Sequence, residues 1–428
     1  MSAPTRPVVV TGVGLVSALG DSAPELWQAL AAGRSGISEI TAFDTAGLSC
    51  RRGGSIDGFD PRETLGQANF RPLDRTGRLA TVAAARALDD SGHGGADRGD
   101  RTDHAGEAEI GLVLGTMFGS VHTISEFDRR ALVAGPQYAK PLDFANSVIN
   151  AAAGQAAIWH HLTGVNGTIS GGTTAGVQAI AYGADLVAGG RVDAVLAGGA
   201  EELCFESFLG FDRGGLTAGA DDEPAAAVPF HARRRGFLPA EGAALLMLES
   251  EAAARSRGAR VLAQVRGHAT AFDPSRGRDP ERAAATVERV ARWALDSAGV
   301  AAEDVALLSA SASGSPSGDR SEARGVASAL CGRARELPVT AVKALLGEAL
   351  GASGAFQTVA ALGSLARGTA PGISGLDATD EGFPLPLAGP DERPVDPAGV
   401  ALVVAVGLDG NVSALVISGG EDLGSGSP

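Results

Sequence analysis

Lysine is almost missing from this chain: of 35 basic residues only Lys140 and Lys343 are lysines. Against 50 acidic residues the balance is a net charge of −15. A surface that acidic repels a phosphate backbone, so nucleic acid is excluded as a partner. Cysteine is scarce as well. Cys50, Cys204 and Cys331 are scattered without metal-ligand spacing, so a disulfide framework is not expected, no metal site is suggested, and the cytoplasm is the expected compartment. No apolar stretch is long enough to span a bilayer, and the opening Met-Ser-Ala-Pro-Thr-Arg carries no apolar leader core. No histidine follows His268. What is present is apolar material: 428 residues, 44% of them hydrophobic, with a mean hydropathy of +0.10. That is enough for one large α/β unit or two fused halves.

The chain opens with Val8–Val10 and continues through Gly12 and Gly14 to Val16, which reads as a buried strand meeting a tight turn. Ser22-Ala23-Pro24-Glu25 is a capping-box pattern, with Leu26, Trp27 and Leu30 following at helical spacing. A second helix is expected over Asp74–Asp90, and Gly92–Gly106 reads as a surface insertion. Ile110–Leu114 and Val192–Leu196 read as buried strands, the latter running into a loop of small residues, Ala197 to Ala200. Asp221 to Pro224 marks a loop, Ala243–Leu248 a strand, and Glu249–Arg257 a helical exit. The second half repeats the pattern, with an amphipathic helix at Ala284–Ala298, a strand at Val305–Ser309, and a closing hairpin of Leu402–Val406 with Ala414–Ile417. Alternating strands and helices predict a mainly parallel sheet covered by helices. The expected organisation is an N-terminal half over 1–255, a C-terminal half over 256–418 and a flexible tail over 419–428.

The most informative segment runs from Gly164 to Gly176, through Ser170-Gly171-Gly172-Thr173-Thr174-Ala175. A helix then follows with Val177, Ile180, Ala184 and Val187 on one face. A strand–turn–helix of this kind presents one side chain at a helix N-terminus, where backbone N–H groups favour negative charge. The segment resembles the elbow of β-ketoacyl synthases, Ser-Thr-Ala-Cys-Ala-Ser-Gly, with Thr173 in the cysteine's place. The resemblance extends to the opening strand, to Ala151–Gln155, and to Pro229-Phe230, Gly236-Phe237 and Glu241-Gly242-Ala243. His231 and Arg235 stand there where aspartates are usual. It implies a thiolase-like α/β fold of two pseudo-duplicated halves in an α-β-α-β-α layering.

The family's two catalytic histidines are also replaced. Ser311 heads Ser311-Ala312-Ser313-Gly314-Ser315-Pro316-Ser317-Gly318-Asp319, which is similar to the family's His-Gly-Thr-Gly-Thr-Pro-Leu-Gly-Asp. Lys343 and Gly347 of the Lys-x-x-x-Gly pattern remain, but Glu348 follows in the second histidine's place. An alcohol is not drawn to its anion as a thiol is, and neither site keeps an imidazole near neutral pKa. No catalytic residue is therefore expected in the isolated chain. Thr173, Ser311 and Glu348 are expected to fill the site with polar groups that bond one another, with Lys343 pairing with Glu348 or a backbone carbonyl.

The segment Ala401 to Val416 lacks the phenylalanine of the family's gating loop, here Gly407-Leu408-Asp409-Gly410. Its frame is closer to chain-length factors, the β subunits of type II polyketide synthase ketosynthases. That resemblance implies a heterodimer with an active ketosynthase and no cofactor of the chain's own. An acyl carrier protein would present the growing chain on its phosphopantetheine, mainly through the partner. Met117 and Phe118 are then candidate tunnel walls, as are Phe144 and Val148; plain packing is the other reading of each. Arg233-Arg234-Arg235 reads as a solvated basic face, or else as a dock for the carrier protein. Two other classes stay open: an acyltransferase or hydrolase with Thr173 as an altered nucleophile, and a homodimeric acyl-binding scaffold.

Overall fold

A computed structural model describes residues 6–66, 69–94, 109–219, 222–387 and 389–420. Most of the expected insertion after Gly92, part of the Asp221–Pro224 loop and most of the tail lie outside the described residues. In the N-terminal half the main elements are β1 (Val8–Ser17), α1 (Ala23–Ala31), α2 (Arg75–Asp90), β2 (Ile110–Thr116), α3 (Val121–Val133), α4 (Ala151–Trp159), β3 (Asn166–Ser170), α5 (Ala175–Ala188), β4 (Ala194–Glu201) and β5 (Gly242–Ser250). The C-terminal half adds β6 (Ala263–Phe272), α6 (Pro280–Ala298), β7 (Val305–Ser309), α7 (Pro316–Leu330), β8 (Val339–Thr340), α8 (Ser353–Arg367), β9 (Val400–Val406) and β10 (Asn411–Gly419).

These ten strands form one sheet, ordered β8-β7-β9-β10-β6-β1-β5-β4-β2-β3. Outward from its centre each half repeats the same rule. The first strand pairs antiparallel with the fifth, the fifth antiparallel with the fourth, and the fourth and third strands flank the second in parallel. The sheet is therefore mixed rather than mainly parallel. Crossover helices do give the first four strands of each half a common direction, as βαβ units must. The reversed fifth strand is inserted between the first and fourth, and turns those pairings antiparallel. The halves join where Val8–Val10 pair with Ala263–Val265.

Layering follows from how much of each helix is buried. Helix α5 buries Val177, Ile180, Ala184 and Val187, as its spacing predicts, but also Gly176, Ala179 and Gly183 on other faces. Helix α8 buries twelve of its fifteen residues. Helix α8, almost without an exposed face, must be enclosed, and it packs with α5, which keeps Tyr182 and Asp185 exposed, on strands of both halves. The amphipathic α2 and α6 cover the outer faces. The result is the α-β-α-β-α core that the resemblance implies. No helix among the described residues is long and apolar enough to cross a membrane.

Two expectations about small residues change. Strand β1 does not turn at its glycines but runs to Ser17, with a register shift between Val10 and Gly12. A Cβ on Gly14 would stand 2.1 Å from the Ala83 carbonyl oxygen of α2. Gly267 of β6 meets α6 in the same way, 2.5 Å from the Ala298 nitrogen. These glycines let α2 lie on β1 and α6 on β6. Likewise β4 continues through Ala197–Ala200 to Glu201; the small residues there leave room for the C-terminal half to cross. Gly14→Ala is expected to lower stability by about 1–3 kcal/mol through forced helix displacement, read as a lower midpoint in chemical denaturation.

Candidate functional site

Each position singled out by the resemblance sits at the end of a different element. Thr173 lies in the single turn between β3 and α5, 4% exposed. Ser311 follows β7, Lys343 and Glu348 follow β8, and Gly407–Gly410 form the tight connection of the β9–β10 hairpin. Because the two halves share one topology, these strand ends meet. Thr173, Ser311 and Glu348 line one cavity of about 190 Å³, together with Leu216, Asp319, Glu322, Gly407, Leu408 and Gly410. Asp409 is not on its wall. Its carboxylate turns back to accept from the Asn411 backbone N–H and side-chain amide.

The cavity's polar groups are bonded to one another. Lys343 Nζ donates to Glu348 Oε2 at 2.7 Å and to the Ser311 carbonyl at 2.7 Å. The other Glu348 oxygen accepts from Ser353 Oγ at 2.6 Å and the Leu350 N–H at 3.1 Å. Thr173 and Ser311 are both tied to Val406: Thr173 Oγ1 donates to its carbonyl at 3.4 Å, and Ser311 Oγ accepts its N–H at 2.9 Å. Thr173 has no base as its partner; Lys343 Nζ also reaches Ser311 Oγ at 3.5 Å, but as a donor whose charge is committed to Glu348, and a hydroxyl nucleophile needs a free base. The cavity wall holds no cysteine or histidine. Cys204 lies elsewhere, its thiol pushed up to about 12 chiefly by burial.

Two further carboxyl groups belong to the site: Asp319 closes the motif that Ser311 opens, while Glu322 carries no signal in the sequence. Asp319 accepts from the Phe230, Ser313 and Gly314 N–H groups, and burial raises its pKa. Glu322, one turn further along α7, accepts the Ser311 N–H at 2.6 Å. Burial first, and then the neighbouring Asp319, push its pKa up to about 8. Spacing of three places both on one helix face. Nothing in a single sequence says that this face is buried.

Of the tunnel candidates, Met117 and Phe118 pack with Phe211, Phe237, Leu350 and Leu408, so they back the wall on which Leu408 faces the cavity. The Phe118 and Phe211 rings are 5.9 Å apart. Phe144 and Val148 are 64% and 50% exposed and outside the cavity; Phe144 leans on Phe127. The arginine run is not one solvated face. Arg234 is buried and reaches the His231 and Pro316 carbonyls and Asp380, while exposed Arg233 pairs with Glu223. His231 is buried as well. Its Nδ1 accepts the Arg233 N–H, so Nε2 donates to Asp377 at 2.7 Å.

Two predictions test this network. Lys343→Met leaves the Glu348 carboxylate buried without its cation and is expected to cost about 3–5 kcal/mol; adding Glu348→Leu should restore much of that in urea melts. The raised Glu322 pKa means that the native state holds a proton the unfolded chain releases near 4.5. Its contribution to stability is full below about 4.5 and is lost as pH rises to about 8. Glu322→Gln should flatten the fall in denaturation midpoint measured between pH 5 and 8.5.

Comparison with known proteins agrees with this geometry. The family model "Beta-ketoacyl synthase, N-terminal domain" matches residues 5–254, and its C-terminal counterpart matches residues 262–377. The 3-oxoacyl-acyl-carrier-protein synthase 2 of Vibrio cholerae is 30% identical over 96% of this chain and 98% of its own. The tetracenomycin polyketide synthase ketoacyl synthase beta subunit of Streptomyces glaucescens is 34% identical, over 97% of this chain and 99% of its own. Among solved structures, the ishigamide ketosynthase/chain length factor superposes with a TM-score of 0.86 at 28% identity, covering 97% of this chain and 99% of that one. From its paired strand ends to both family domains, the chain belongs to the β-ketoacyl synthase family.

Proposed function

We propose that this chain is the non-condensing partner of an active ketosynthase, a chain-length factor in a type II polyketide synthase. The observation that carries this reading is the cavity itself. Thr173, Ser311 and Glu348 converge there as the catalytic residues of the family would, yet they are closed into bonds with Lys343, Ser353 and the Val406 peptide group. Likeness to the tetracenomycin beta subunit and the ishigamide chain length factor supports the same reading. On it, the active subunit supplies cysteine and histidines. An acyl carrier protein delivers the growing chain on its phosphopantetheine, and this chain supplies the apolar wall around Met117 and Phe118 that limits chain growth.

A partner surface is available for such a pairing. Strand β3 is the edge of the sheet, and its neighbourhood carries exposed apolar side chains on α3, α4 and the segment between them. Leu132, Val133, Leu142, Phe144 and Ile158 are each more than 60% exposed. A solvated monomer seldom keeps so much apolar surface together with an unpaired strand edge. Phe144 and Val148 would act here, at the border with the partner, rather than inside this chain's own cavity.

Co-expression with an intact Cys-His-His ketosynthase should give a 1:1 complex, whereas the isolated chain should not turn over acyl or malonyl carriers. Phe118→Ala should lengthen the products of the complex by at least one extension unit, read by mass spectrometry. Failure to co-purify, or condensation by the isolated chain, would sink the reading.

A further inference from the structure

One place where the C-terminal half crosses the N-terminal half is held by a buried carboxylate. Glu201, the last residue of β4, is 1% exposed. It accepts from the Met117 N–H at 2.6 Å, the Phe118 N–H at 3.0 Å and Thr116 Oγ1 at 3.2 Å, all in the turn after β2. It also accepts the Gly351 N–H at 3.2 Å, from the turn that leads into α8. No ion pair reaches Glu201 among the described residues. Burial pushes its pKa up to about 7 even against these donors.

The crossing tolerates nothing larger. A Cβ on Gly351 would stand 2.5 Å from the Thr116 Cα and 2.7 Å from Glu201 Oε2. The residue before it, Leu350, is held at φ 49°, a left-handed conformation that strains any residue with a Cβ. Two carboxylates fix that turn from opposite ends: Glu348 takes the Leu350 N–H and Glu201 the Gly351 N–H. The result is that Leu350 packs against Phe211, Phe237, Met117, Phe118 and Leu408.

We propose that Glu201 is a positioning residue for chain length, locking the Met117–Phe118 turn and the Leu350–Gly351 turn into one fixed apolar wall. This rests on the reading of the chain as a chain-length factor. A glutamine at 201 keeps the shape but replaces one acceptor oxygen with an amide NH₂. That group opposes the N–H donors already there, so the two turns would part.

The test has two arms. In the complex with its ketosynthase, Glu201→Gln is expected to spread the products over more than one chain length. Combined with Phe118→Ala it should add little, because both act on one wall. In the isolated chain, hydrogen exchange should quicken at least tenfold in peptides covering residues 114–119 and 349–352 together, with α6 unchanged. If Glu201→Gln unfolds the chain, Glu201→Asp, which keeps the charge but shortens the reach, takes its place in both arms. Wild-type exchange in either segment overturns the proposal without reference to any partner. Wild-type product lengths with Glu201→Gln, while Phe118→Ala shifts them, overturn it and leave the chain-length reading standing. Products unmoved by either variant, with exchange quickened, overturn the chain-length reading and the role given to Glu201 within it.

Discussion

The buried pair of Lys343 and Glu348 is the interaction on which the rest of the site depends. Both side chains are almost wholly enclosed and 2.7 Å apart, and removing either would leave the other's polar head buried without its partner. Their remaining capacity is committed outward. The ammonium holds the Ser311 carbonyl after β7, and the carboxylate holds Ser353 and Leu350 at the entry to α8. One ion pair thus joins three segments of the C-terminal half and closes the cavity floor. A neutral imidazole in the place of Glu348 would leave Lys343 without a counter-charge. A carboxylate supplies one, so the replacement is locally self-consistent as structure.

The same economy of space governs the middle layer. Helices α5 and α8 can lie together between the half-sheets because they are rich in alanine, glycine and small hydroxyl residues. In α8, Thr358 and Ser364 return their hydroxyls to carbonyls one turn back, so enclosure leaves those hydroxyls bonded. Gln357 reaches across to the Ser309 and Val404 carbonyls and ties α8 to β7 and β9. Such a layer holds strand ends in fixed relation, and the cavity is built from strand ends.

Much of this was legible in the sequence. Apolar runs marked β2, β5, β7 and the closing hairpin, and the spacing of Val177, Ile180, Ala184 and Val187 marked the buried stripe of α5. The three positions could be named because the motifs around them keep their order; Lys343 was expected to pair with Glu348 or a backbone carbonyl, and it bonds both. What was not legible depends on tertiary context. Gly14 and Ala197–Ala200 look like turn or loop residues, yet they sit in strands because another backbone passes within contact distance. The antiparallel pairings arise from where each fifth strand inserts, which periodicity does not record. Arg234 lies between two exposed arginines in the chain but faces inward, and Glu201 and Glu322 look like ordinary surface acids until the fold encloses them.

Charge decides what the cavity can support. Condensation of acyl units develops negative charge on an enolate and on a nucleophile, and a competent site offers hydrogen-bond donors or cations to both. Here the wall presents four carboxyl groups, Asp273, Asp319, Glu322 and Glu348, against one cation, Arg276. Of the nearby cations, Lys343 is engaged by Glu348 and Arg234 by Asp380 and backbone carbonyls, while Arg276 stands on the wall itself. A proton on Glu322 at neutral pH removes one negative charge but adds no positive one. Replacing Thr173 alone by cysteine would place a thiol in this field with no imidazole to assist it, and burial among acids raises a thiol's pKa rather than lowering it. Restoring chemistry would therefore require changing the whole polar set together. On the function proposed above, a cavity so bonded suits a subunit that holds its shape beside a catalytic partner.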